Sequence, residues 1–307
     1  MKATAAYLSD PPDTPIAGSV LKGPLSRADE MTRRNEVVAL VTGASSGIGL
    51  VTAQTLAKAG YRVFGTSRRP VASSQGVTML VCDVTDEASV RTLINEVMEL
   101  AGRIDLVVNN AGIGLLGGAE ESSIAQVRRL FDVNVFGLAS VVNAVLPIMR
   151  SQKRGRIINM SSILGLIPSP YNAFYASTKH AVEGYTESLD HEVRSFGIRV
   201  LLIEPGVTRT AFEENLTRAD QPLPDYAAER ARSENMMRRW VEAGDPPQVV
   251  ADAVLEAATD RKPKLRYSAG KQSRQVRSLR RFMPERVVDS ILRKVNEFPT
   301  PSCARAI

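Results

Sequence analysis

The sequence predicts an α/β protein built on a doubly wound parallel sheet with helices on both faces. Two observations carry this. Short, nearly continuous apolar runs recur between Glu36 and Gly206, and helix-like segments separate most of them. Strands that are apolar along their whole length belong to a sheet covered on both sides.

The first run, "EVVALVTG", is β-branched and ends in glycine. A helical pattern follows through "GIGLVTAQTLAKAG". "YRVFGT", "VTMLVCD" and "IDLVVNNAG" give the second to fourth strands, and "GRIINMSS" and "IRVLLIEPG" the fifth and sixth. "DEASVRTLINEVMELAG" and "AFYASTKHAVEGYTESLDHEVRSFG" read as helices between them. Beyond Ala211 the chain becomes helical, polar and Pro-interrupted, which predicts a substrate lid around 210–245. Residues 1–34, with "SDPPDTPIAGS", read as a disordered N-terminal arm. The catalytic domain is expected over 35–268, and a basic helical C-terminal extension, packed on the same domain, over 269–307.

Composition excludes several classes. With 44% hydrophobic and 23% charged residues the chain has material for a sizeable core. No apolar run approaches the roughly 18 residues of a membrane span. Cys82 and Cys303 are the only cysteines, too few for a disulfide framework, and no metal site is expected. Cys82 reads as a small core residue, His180 and His191 as helix-surface residues, and the location as cytoplasmic. The net charge of +6 is uneven: twelve Lys or Arg stand against Glu285 and Asp289 between Arg261 and Lys294. The remainder therefore sums to −4, so no nucleic-acid partner is expected.

Chemistry begins at "TGASSGIG", where Gly43, Ser45, Ser46, Gly47, Ile48 and Gly49 follow the first strand and open the first helix. Positions without side chains let a pyrophosphate approach, and the helix N-terminus offers free N–H groups. The spacing differs from G-x-G-x-x-G, so the placement after a buried strand carries the reading. About 20 residues further on, an acid would select the ribose hydroxyl of NAD. Here stand Ser67, Arg68 and Arg69 with no acid nearby, a set suited to a 2′-phosphate, so NADP(H) is the expected cofactor.

The ordered series "TGASSGIG", "CDVTD", "NNAG", "FDVNVFG", "NMSSILG", "YASTK" and "EPGVTRT" resembles the short-chain dehydrogenase/reductase family over about residues 36–210. The resemblance implies a Rossmann sheet of about seven strands and an active site at the strands' carboxyl ends. It implies that Asp83 and Val84 lie by the adenine, that Asn110, Ala111 and Gly112 line the cofactor channel, and that Pro205, Gly206 and Thr208 hold the nicotinamide end. It places the catalytic roles on Asn134, Ser162, Tyr175 and Lys179. Ser162 stands 13 positions before Tyr175, the family's spacing, and Ser161 fits one residue worse. Tyr175 and Lys179, at i and i+4, share a helix face. Carbonyl reduction needs a proton donor, and a free phenol titrates near ~10, about three units too high for easy exchange. A cation some 4 Å away at an effective dielectric near 20 contributes about 4 kcal/mol, enough to close that gap. Lys179 is therefore expected to lower the Tyr175 pKa, to reach the nicotinamide ribose, and to exchange protons through a water anchored by Asn134.

Leu164, Tyr171, Ser162 and Tyr175 are the expected substrate contacts. The stretch from Tyr175 to Gly206 and the basic tail look most like the hydroxysteroid and retinol dehydrogenase branch, which implies a lipophilic alcohol or ketone. The rivals are a β-ketoacyl reductase and a catalytically silent dinucleotide-binding regulator. A homodimer or homotetramer is expected. After Pro284, Val287, Val288, Ile291, Leu292 and Val295 recur at helical spacing among cations. That face is expected to pack over the substrate pocket, in preference to resting on a membrane.

Overall fold

The computed structural model describes residues 36–210, 212 and 216–296. The expected arm at 1–34, Cys303 and the end of the tail lie outside the described residues. Seven parallel strands form one sheet: β1 (Val38–Val41), β2 (Arg62–Ser67), β3 (Val77–Val81), β4 (Leu106–Asn109), β6 (Gly155–Met160), β7 (Ile198–Pro205) and β9 (Arg266–Ala269). Their order is β3-β2-β1-β4-β6-β7-β9. A two-residue strand, β5 (Leu115–Leu116), pairs separately with β8 (Thr217–Arg218).

Both faces of the sheet are apolar because successive side chains alternate. Val38, Leu40, Ile157, Val200 and Leu202 point to one core; Ala39, Val41, Ile158, Leu201 and Ile203 point to the other. The first core is closed by α2 (Glu87–Ala101), α4 (Leu138–Gln152) and α5 (Ala173–Val193), through Leu93, Val97, Val141, Val145 and Val182. The second is closed by α1 (Gly47–Lys58) and α7 (Pro247–Thr259), through Ala53, Leu56, Val254 and Ala257. Between β1 and β4 the strand order reverses, which opens a crevice at the carboxyl ends of these two strands. Cys82 is buried in the first core, and His180 and His191 are exposed on α5, as the sequence indicates.

Three differences from the sequence reading have physical causes. The seventh strand, β9, lies across the boundary drawn at 268/269, because "RYSA" is an edge strand with charged and polar residues. Helix α3 (Ile124–Phe131), a π-helical stretch Asp132–Gly137 and α4 form one continuous helical run. By length and composition alone that run qualifies as a membrane span, with an 18-residue window of mean hydropathy 1.6. Leu130, Val141, Val142, Val145 and Met149 bury its apolar side within the domain, so it reads as a core helix. Finally, the tail is divided. Helix α8 (Lys271–Phe282) is fastened through Ser273, whose hydroxyl donates to the Glu204 carbonyl. Helix α9 (Glu285–Val295) buries only Val288. Before them, α6 (Ala227–Glu242) belongs to the lid region.

Candidate active site

The crevice is built first by backbone. Thr42, just beyond β1, accepts from the N–H groups of Asn110 and Ala111, each at 3.0 Å. The Asn110 amide returns the bonds, donating to the Thr42 and Gly43 carbonyls at 3.0 and 3.1 Å. Two glycines are required by this approach. A Cβ on Gly43, whose φ is +66°, would sit 2.9 Å from the Ala111 Cα, and one on Gly49 would collide with the Gly43 carbonyl. Ser46 caps α1 with extended backbone and no side-chain hydrogen bond, and the first turn holds no acid. Ser45 and Ser46 are exposed, with Gly47 and Ile48 half-buried beside them. A cradle without side chains at the mouth of a helix N-terminus fits a dinucleotide pyrophosphate.

At the tip of β2, the Ser67 hydroxyl accepts from the Arg69 N–H at 3.4 Å, and Arg68 and Arg69 are exposed. Asp83 lies near Arg68. Two Thr85 hydrogen bonds, at 2.9 and 2.7 Å, hold its carboxyl below the usual range, and Arg68 adds to the effect. The Val84 side chain is buried beside Gly137 in the core. Across the crevice, the Gly206 N–H donates to the Ala269 carbonyl at 3.2 Å, and the Thr208 hydroxyl donates to the Gly206 carbonyl at 3.1 Å. Pro205 ends β7, and the segment then runs to Thr210, near Gly47.

The acid/base residues converge as the spacing predicts. Ser162 lies beside Tyr175, where its hydroxyl acts to lower the phenol's pKa, and it accepts from the Leu164 N–H at 3.1 Å. Ser161 is buried with its hydroxyl unpartnered, beside Glu183, so the choice of Ser162 agrees with the geometry. Lys179 is buried, its Nζ donating to the Met160 carbonyl at 2.9 Å and standing 5.6 Å from the Tyr175 ring centroid.

The electrostatics depart from expectation. Burial pushes the Tyr175 phenol up to about 12, the Ser162 hydrogen bond opposing it, and Lys179 brings no offsetting fall. Burial also pulls Lys179 down to about 8, with Glu183 opposing. The ammonium is aimed at a carbonyl, and Tyr175 itself is half-buried.

Asn134 is buried and held by three side-chain hydrogen bonds. Its amide donates to the Ile113 carbonyl at 2.9 Å and the Thr178 hydroxyl at 3.2 Å, while its Oδ1 accepts from the Ile113 N–H at 2.9 Å. Both amide protons are committed, so the side chain braces the 110–113 loop against α5. A Cβ on Gly112 would come within 3.3 Å of that Oδ1. The π-helical turn is what carries Asn134 into the site.

The lid supplies residues that sequence reasoning missed. Phe212 lies with its ring centroid 6.0 Å from that of Tyr175, tilted by 53°, and with Leu216 it covers Gly114. Tyr171 sits between the catalytic loop and the lid; its carbonyl accepts from Gly117 at 2.8 Å, and burial raises its phenol. Glu121 is fully buried and latches the lid. Its carboxylate accepts from the N–H groups of Gly118 and Leu223, both at 2.8 Å, and pairs with Arg230. Burial acts to raise this carboxyl, but those hydrogen bonds and Arg230 outweigh it and hold it low. Only position could have marked Phe212, two residues past "EPGVTRT"; "GGAEESS" gives no signal for Glu121.

The tail does not close this cleft. A second cavity, of about 870 Å³, lies between Leu166–Pro170, α5 and the tail, with Ala173, Ala176, Ser177 and His180 on its wall. Those residues occupy the helix face turned away from Tyr175 and Lys179.

Fold and site together define a nicotinamide-dinucleotide-type oxidoreductase architecture. A family model described as short chain dehydrogenase matches residues 37–221. The chain is 39% identical to a 3-ketodihydrosphingosine reductase of Bacteroides thetaiotaomicron over 76% of this chain and 87% of the relative. It is 34% identical to retinol dehydrogenase 8 of Bos taurus, covering 74% and 79%. The solved structure of ElxO with NADP bound is similar at 27% identity and TM-score 0.65, over 78% of this chain and 99% of that one. The chain belongs to the short-chain dehydrogenase/reductase family and has its Rossmann fold.

Proposed function

We propose that this protein is an NADP(H)-dependent reductase of a lipophilic ketone or aldehyde, acting also in the reverse direction on the alcohol. The observation that carries it is Tyr175 beside Ser162 and one helical turn from buried Lys179, in a chain whose first strand ends in a glycine cradle. The bound nicotinamide would supply the hydride. Ser162 orients the carbonyl oxygen, and the Tyr175 O–H delivers the proton to the oxygen as negative charge develops there. Lys179, charged below its pKa, would hold the cofactor's ribose. Asn134 keeps the loop and helix in register.

The cofactor preference rests on Ser67, Arg68 and Arg69 at the tip of β2, with no acid among them. The substrate class rests on the apolar lid: Phe212 stands against the Tyr175 ring, and Leu216 lies beside it over Gly114. The names of the two curated relatives agree with such a substrate. A screen of ketones and aldehydes of graded size, followed by NADPH and NADH oxidation, tests the reading. Turnover should be faster with NADPH and rise with apolar length. A preference for NADH, or turnover confined to small polar carbonyls, would overturn it.

A further inference from the structure

The corner where α8 meets α9 exposes apolar side chains that the fold does not explain. Phe282 is 74% exposed, Met283 49%, Val287 41% and Val295 51%. Packing accounts for only part of α9. Asp289, Leu292, Arg293 and Asn296 form the strip that faces the cavity behind α5, while Val287, Ile291 and Val295 lie along a different edge. Val288, between the two, is the buried anchor. On α8 the outward face presents Lys271, Arg274 and Arg281 together with Phe282, and the Arg281 guanidinium stands 5.6 Å from the Phe282 ring.

We propose that this corner is a docking surface for an anionic lipid bilayer, with Phe282, Met283 and Val287 entering the headgroup boundary and the surrounding cations meeting lipid phosphates. Charge selects this occupant. Between Lys271 and Lys294 there are eight Lys or Arg against Glu285 and Asp289. A two-fold pairing of this surface with a second copy would set these cations against one another. Nucleic acid would engage the cations but leave the apolar corner without a partner. A bilayer satisfies both, since a basic amphipathic helix lies in the interface with its apolar edge inward. The surface is separate from the catalytic face, so docking holds the enzyme at the lipid without touching Tyr175.

The test is sedimentation of the full chain with phosphatidylcholine vesicles, with and without phosphatidylglycerol, at low and high salt. Two double variants accompany it, F282S/V287S and R274E/R281E. All four side chains are exposed, so the fold should survive the changes. The intact protein should sediment with the anionic vesicles only. High salt or either variant should lower the bound fraction by at least about fivefold, and turnover of a water-soluble ketone should stay unchanged. Absence of sedimentation with anionic vesicles, or undiminished binding by both variants, overturns the proposal. So does a dimer of the intact protein that F282S/V287S converts to monomer, or duplex-DNA binding without vesicle binding.

Discussion

Desolvation of half-buried Tyr175 pushes its phenol up to about 12, which favours the neutral, proton-donating form. That suits proton delivery, and it shifts the pH-sensitive role to Lys179, which burial brings down to about 8. Below that value the side chain is charged and able to hold an anionic cofactor's ribose; above it the charge is lost. We therefore expect kcat/KM for NADPH, which reports groups of the cofactor-free enzyme, to fall as pH rises through about 8 with the slope of one proton. A flat profile from pH 7 to well above 9, followed to about pH 10, would remove Lys179 from this role. Arg68 gives a second expectation at the same scale. A charge-assisted hydrogen bond contributes about 1.5–3 kcal/mol, or one to two decades. Binding titrations of Arg68→Ala should show NADPH weakened by that much and NADH little changed. The positions of Ser162, Tyr175 and Lys179 were legible because their types and spacings recur together. Their protonation was not, because it depends on burial and on where Nζ points, and neither appears in a one-dimensional pattern.

The lid and the last strand show the same limit among elements. β8 adds to β5, and Gln126 Nε2 donates to the Arg218 carbonyl at 2.7 Å, yet the centre of this contact is the buried Glu121–Arg230 pair. Removing one partner of such a pair leaves an uncompensated buried charge. Arg230→Met should therefore loosen the lid, seen as faster proteolysis near residues 212–223 and a several-fold higher KM for a bulky ketone, with NADPH affinity kept. At the other edge, β9 brings Arg266 to Glu183 at 2.9 Å, Glu187 at 3.0 Å and buried Glu204 at 3.4 Å. Burial first, then Glu183, raises the Glu204 pKa. The folded state then holds this proton more tightly than the unfolded state, so the contribution is favourable at low pH and declines as pH rises above the usual carboxylate range. Denaturant titrations should show that decline in the parent protein and a flatter curve for Glu204→Gln. The first six strands were legible from their apolar runs. β9 was not, since its charges answer partners on α5 and β7 that lie some 60 to 80 positions away in the chain.

In the molecule as a whole, one sheet separates two kinds of surface. The carboxyl ends of β1 and β4 hold the cradle, Ser162 follows β6, Tyr175 and Lys179 lie on α5, and Phe212 stands against the Tyr175 ring. In the basic tail, α8 packs against the turn after Ser162 and the Gly206–Val207 segment, while α9 lies over the Leu166–Pro170 side of α5. The sequence signalled the uneven charge and the amphipathic helix, but the direction in which the helix faces follows from the packing of Val288 and Ser273. The account depends most on Tyr175 acting as the proton donor of an NADP(H)-linked carbonyl reductase. The most direct measurement compares steady-state reduction of an apolar ketone by the parent protein and by Tyr175→Phe, with NADPH binding followed in parallel. Removing a positioned acid should lower kcat by at least about 10²-fold while leaving the NADPH dissociation constant nearly unchanged. Near-parental turnover by Tyr175→Phe, with cofactor binding intact, would contradict it.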